Sequence, residues 1–111
     1  MFIRLKKPTF VLQGHAAAYA LPQEVLLNLS RIGAVSFGAI SHEIALADGG
    51  KTLGTVNAGD ANTIRIALDG DVGELLPGSF AERQFVLVFP DNLHGEFQRI
   101  RRILESRVIE S

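Results

Sequence analysis

The sequence predicts an α+β domain, an antiparallel sheet with its helices gathered on one face or end, and three observations predict it. Between residues 34 and 68, apolar side chains recur at every second position, the period of a half-buried strand. From Leu93 onward they recur at steps of four and three, the period of an amphipathic helix. Between the two regions, the apolar run Gln84-Phe85-Val86-Leu87-Val88-Phe89 passes through Pro90-Asp91-Asn92 straight into that helix. A sheet face and a helix stripe each need burial, and each is the nearest partner for the other.

The elements follow in order. Residues 2–7 alternate and read as a first strand, with Thr9-Phe10-Val11-Leu12-Gln13 as a second strand or its continuation. Pro8 between them cannot donate a ladder hydrogen bond, which fits an edge or a bulge, and Gly14 ends the run. Residues 16–21 fit strand and helix equally. Pro22 suits the first turn of a short helix near residues 22–32, with Val25, Leu29 and Ile32 as its buried stripe and Gly33 as its stop. Val35, Phe37 and Ala39 then alternate with small or polar neighbours, and Ile44 and Leu46 continue the pattern. Asp48-Gly49-Gly50 reads as a hairpin turn, because glycine reaches positive φ without strain, and residues 52–56 form the return strand. After a turn at 57–62, Thr63-Ile64-Arg65-Ile66-Ala67-Leu68 is the clearest half-buried strand.

Residues 69–79, with Gly70, Gly73, Pro77 and Gly78, read as a turn-rich loop before the 84–89 strand. The long C-terminal helix covers about residues 91–109. Leu93, Phe97, Ile100, Leu104 and Val108 share one stripe, which Ile103 widens. Asp91 or Asn92 is placed to cap its start, Glu96 lies near the positive end of its dipole and Arg107 near the negative end. A curved antiparallel sheet or partly open barrel with such a helix resembles the arrangement of pleckstrin-homology-like domains. A sheet layered between helices, with residues 32–54 as a central hairpin, is similar to roadblock-type dimerisation domains. Both are likenesses of architecture without a matched motif residue, and they carry little functional weight.

Composition narrows the classes. A chain of 111 residues suffices for one domain, residues 1–111, around one core. Apolar residues at 47% against 21% charged argue for a packed globule over a disordered chain. No apolar stretch approaches the roughly 18 residues of a membrane span. The first residues place their charges after the leading apolar residues and have no long apolar block behind them, the wrong order for a secretory signal, so a cytoplasmic location is expected. Without cysteine the chain has no disulfide, thiolate metal ligand or cysteine nucleophile. The net charge of −1 suggests no nucleic acid, and one tyrosine without tryptophan supplies little for base stacking. The distribution is uneven, however: Arg4, Lys6, Lys7 and Arg31 outweigh Glu24 early, whereas residues 40–82 are acidic. That asymmetry fits self-complementary association and equally an ordinary surface with acidic turns.

Four motifs invite chemistry and none completes it. Ala45-Leu46-Ala47-Asp48-Gly49-Gly50-Lys51-Thr52 matches a relaxed phosphate-loop pattern, but the residues after Thr52 read as strand and turn rather than the required helix. Asp69-Gly70-Asp71-Val72-Gly73-Glu74 begins like a calcium loop, yet Gly73, Glu74 and Phe80 occupy positions where an oxygen ligand, a glycine and a glutamate are needed. Arg99, Arg101, Arg102 and Arg107 are interleaved with Glu96, Glu105 and Glu110, so i,i+3 and i,i+4 pairs such as Arg101 or Arg102 with Glu105 account for them. The histidines His15, His42 and His94 show no metal-ligand spacing, and adjacent Ser41, His42 and Glu43 would point to alternating faces of a strand. No cofactor is expected.

Two function classes follow. The first is a non-enzymatic protein-interaction or scaffold domain, homodimeric through a sheet edge or a helix face. The alternative is a small-ligand-binding protein or enzyme whose site converges from separate loops, with His15, His42 and Asp60 as its candidate residues. A pocket holding two of those three favours the alternative, and their dispersal to solvent favours the first.

Overall fold

The computed structural model describes residues 1–69 and 84–106. Through them run β1 (Phe2–Leu5), β2 (Phe10–Gln13), β3 (Ala17–Ala20), β4 (Val25–Asn28), β5 (Ile32–Ala39), β6 (Ile44–Asp48), β7 (Lys51–Val56), β8 (Ala61–Leu68), β9 (Gln84–Pro90) and α1 (His94–Glu105). Single 3₁₀ turns occupy Leu29–Arg31 and Asp91–Leu93. The class is α+β, with β1 and β4 forming a separate antiparallel ribbon.

The other seven strands make one sheet in the order β5-β8-β9-β2-β3-β6-β7. Among the described residues it is open, with β5 and β7 at its edges, and does not close into a barrel. The expected antiparallel sheet is corrected to a mixed one, because β3 and β6 run parallel, with Ala17 opposite Ala45 and Tyr19 opposite Ala47. A parallel neighbour needs a long crossover, and residues 21–43, which build β4 and β5 on the way, supply it.

β9 is the centre of the packing, buried from Phe85 to Pro90. Phe85, Leu87 and Phe89 enter a core with Ile64, Ile66 and Leu68 of β8, Ile3 and Leu5 of β1, Leu27 of β4, and Phe97 and Ile100 of α1. Val86 and Val88 enter a second cluster with Phe10, Ala18, Ala20, Ile40, Ile44 and Ala61. The near-continuous apolar run of β9 is therefore a strand covered on both faces, whereas the alternation of β8 marks one buried face.

The short helix expected near residues 22–32 is absent: that stretch is β4 followed by the Leu29–Arg31 turn. Val25 and Leu29 lie four apart, but with Leu27 they also form a period-two set, and a run this short satisfies both periods. Pairing decides between them, since β4 is the partner of β1, with Ile3 opposite Leu27. The Asn28 side-chain oxygen accepts from the Ser30 N–H at 3.1 Å and turns the chain out of the strand. Gly33 is no helix stop; the register of β5 on β8 slips there, between Ile32 and Ala34. The 32–54 hairpin is not formed either, because β5 pairs with β8 while β6 pairs with β7 and β3.

The C-terminal helix follows its stripe, with Phe97 and Ile100 buried and Leu93, Ile103 and Leu104 packed against the core. Its expected continuation over 107–109, including Val108 and Arg107, lies outside the described residues. Neither Asp91 nor Asn92 caps α1 through its side chain. The Asp91–Leu93 turn runs directly into α1, and the His94 N–H donates to the Asp91 carbonyl instead. Among the described residues, no helix is long and apolar enough to cross a membrane.

Candidate functional site

β5 pairs along its inner side with β8, setting Val35 opposite Ile66, Ser36 opposite Arg65 and Phe37 opposite Ile64. Among the described residues, no strand pairs its outer side. Unpaired N–H and C=O groups make such an edge a template for another strand, and proteins usually blunt it with charge, proline or a bulge. β7, the opposite edge, carries those guards: Lys51 begins it, and a register slip beside Leu46 leaves an extra residue near Leu53. Across β5, Ile32-Gly33-Ala34-Val35-Ser36-Phe37-Gly38-Ala39, there is no charge and no proline, and the slip at Gly33 leaves residues 34–39 in regular register.

Beside this edge lies a groove of about 380 Å³, floored by Leu29, Ile32, Val35 and Phe37 of the edge side and walled by Leu104 and Glu105 of α1. The Phe37 ring meets Phe97 edge-on at 6.5 Å between centroids, and the Arg101 guanidinium lies 4.7 Å over Phe37. Arg101 Nε in turn donates to Glu105 at 2.6 Å, the i,i+4 pair expected from the sequence. The groove therefore has an apolar floor and a rim that carries both signs of charge.

The helix is fixed over the sheet by polar contacts further back. Arg99 donates to Glu96 Oε2 at 2.8 Å and to the Arg4 carbonyl at 2.7 Å, joining α1 to β1. The Arg99 hydrogen bond holds the Glu96 carboxyl below its ordinary pKa, assisted by the charges of Arg99 and Lys6 and opposed by partial burial. Next to this contact, the outward face of the β1–β4 ribbon exposes Phe2 and Leu26, flanked by the Arg4–Glu24 ion pair.

His15, His42 and Asp60 are all exposed. The parallel start of β3 and β6 brings two of them together: His42 Nε2 donates to the His15 carbonyl oxygen. Its Nδ1 then accepts from Ser41 Oγ at 3.1 Å in the neutral ring. Both ring nitrogens are thus engaged within the turn. Asp60 belongs to a separate turn, where its N–H donates to the Asn57 carbonyl. None of the three lines the groove at β5 or the second hollow, of about 620 Å³, which Lys7, Gln13, Tyr19 and Asp48 border.

His94 faces Gln98 at 3.1 Å on the first turn of α1. Among the described residues, no three His, Asp or Glu side chains gather as metal ligands. The phosphate-loop match is the β6–β7 hairpin, as its downstream residues implied. The acidic stretch beyond Asp69 lies outside the described residues. What the sequence reading missed is the β5 edge. Its signal was present, an uncharged, proline-free strand with Val35 and Phe37 two apart, but periodicity identifies a strand without giving its position in the sheet. Comparison with family models, curated proteins and solved structures returns no significant match.

Proposed function

We propose that this chain is a non-enzymatic protein-interaction domain that receives a partner strand along the outer side of β5. The observation that carries the reading is the β5 edge, free of charged and proline residues, regular over residues 34–39 and unpaired among the described residues, beside an apolar groove. Strand addition uses both features, since main-chain hydrogen bonds along the edge provide affinity and hollows for alternate side chains provide selectivity. The exposure of His15, His42 and Asp60 supports this class over a site assembled from loops. The pleckstrin-homology-like likeness belongs to the same proposal, as a helix laid along an open sheet leaves a strand-sized slot between itself and the edge.

A second reading draws on one observation, the hollow bordered by Lys7, Gln13, Tyr19 and Asp48, which offers both charges and a phenol to a small polar ligand. Native mass spectrometry of gently purified protein separates the two. The interaction reading expects assemblies made of protein alone. A monomer that carries a reproducible small-molecule mass contradicts it and supports the second.

A further inference from the structure

Resting on that reading, we infer that the strand received by β5 is β5 of a second copy, paired antiparallel about a two-fold axis at Ser36. An antiparallel join that continues both sheet faces must pair residues whose side chains share a face. Val35 and Phe37 point to the α1 face and are half-buried, while Ala34, Ser36 and Gly38 are exposed on the other. Centring at Ser36 sets each Val35 opposite the second copy's Phe37, a β-branched and aromatic cross-strand pair. Moving the centre to Val35 sets Phe37 against Gly33, and moving it to Phe37 sets Val35 against Ala39, so only the Ser36 centre covers both apolar side chains at once.

Charge agrees with this register. Residues 32–39 bring no charge to the seam, so no like charges face each other. In an antiparallel join the N-terminal end of each β5, preceded by the exposed Arg31 with Asp69 beside it, lies next to the C-terminal end of the other, which the turn holding the exposed Glu43 follows. The axis is perpendicular to the sheet, so both α1 helices lie on one side. The grooves beside Leu104 then face each other across the seam, and each copy's Val35 and Phe37 help close the other's.

Ser36 is exposed, so substitutions there change the seam and leave the core intact. The test is sedimentation velocity on wild type, Ser36→Lys, Ser36→Glu and their equimolar mixture, with circular dichroism as a folding control. Wild type is expected to dimerise. Ser36→Lys, which sets two ammonium groups opposite each other beside Arg65, is expected to weaken the dimer by roughly tenfold or more. Mixing it with Ser36→Glu is expected to restore a one-to-one dimer. Because the chain has no cysteine, Ser36→Cys is expected to oxidise to a disulfide-linked dimer, facing residues being about 4.5–5.5 Å apart at Cα.

A dimer indifferent to Ser36→Lys overturns this inference and leaves the interaction reading standing; loss of that dimer in Leu26→Lys would move the contact to the β1–β4 ribbon. A wild type that stays monomeric also overturns it. In that event, fast amide exchange along β5 preserves the edge for another partner, and slow exchange removes both readings.

Discussion

Gly49 and Gly50 share one two-residue turn, and only the first requires glycine. Gly49 has φ of +62°, whereas Gly50 is not at positive φ, and a Cβ there would meet nothing within 4 Å. Gly49→Val is therefore expected to cost about 1–2 kcal/mol by chemical denaturation, the strain of an L side chain in the left-handed region. Gly50→Ala is expected to stay within about 0.5 kcal/mol of wild type. The turn was readable from Asp48-Gly49-Gly50, but the division of labour between its glycines depends on ψ and on the twist of β6 and β7. Glu96 makes a second prediction. Its folded pKa lies below the ordinary 4.5, so folding favours the ionised form, and that stability is present above the unfolded pKa. It is lost as pH falls below 4.5 through the folded value. Wild type should exceed Glu96→Gln by at most about 1 kcal/mol at pH 7, a gap that closes toward pH 3.

At the level of elements, α1 and β4 show what a sequence pattern can decide. The stripe of α1 repeats from Leu93 through Phe97, Ile100 and Leu104, long enough to exclude a period of two. In β4 the apolar residues are contiguous, and Val25, Leu27 and Leu29 satisfy a strand as well as Val25, Leu29 and Ile32 satisfy a helix. The decision lay with β1, whose Ile3 and Leu5 need a paired neighbour to reach the core. The strand and the helix make different demands on Leu26 and Leu27. In the strand Leu27 is 7% exposed and Leu26 is 56% exposed. Thermal melts should show Leu27→Asp unfolded at room temperature, because it buries an unpaired charge, and Leu26→Asp close to wild type. The candidate residues His15, His42 and Asp60 illustrate the same limit. The β3–β6 pairing that brings the His15 carbonyl to His42 is a parallel contact across a crossover, and no local pattern in either segment announces it.

For the whole molecule, the sheet order decides what is left for a partner. The α+β class and most strands could be read from periodicity, but the order β5-β8-β9-β2-β3-β6-β7 could not, because it depends on contacts distant in sequence. That order sends β7, with Lys51 and a slip near its middle, to one edge and the uncharged β5, regular over residues 34–39, to the other, and the functional reading rests on this difference. Site-resolved amide exchange at two protein concentrations tests it most directly. At high dilution, alternate amides within residues 34–39 should exchange fast while β8 and β9 stay protected. At high concentration those β5 amides should slow and β7 should not change. Slow exchange along the whole of β5 at both concentrations would contradict the account, since the edge would then be covered within a single chain.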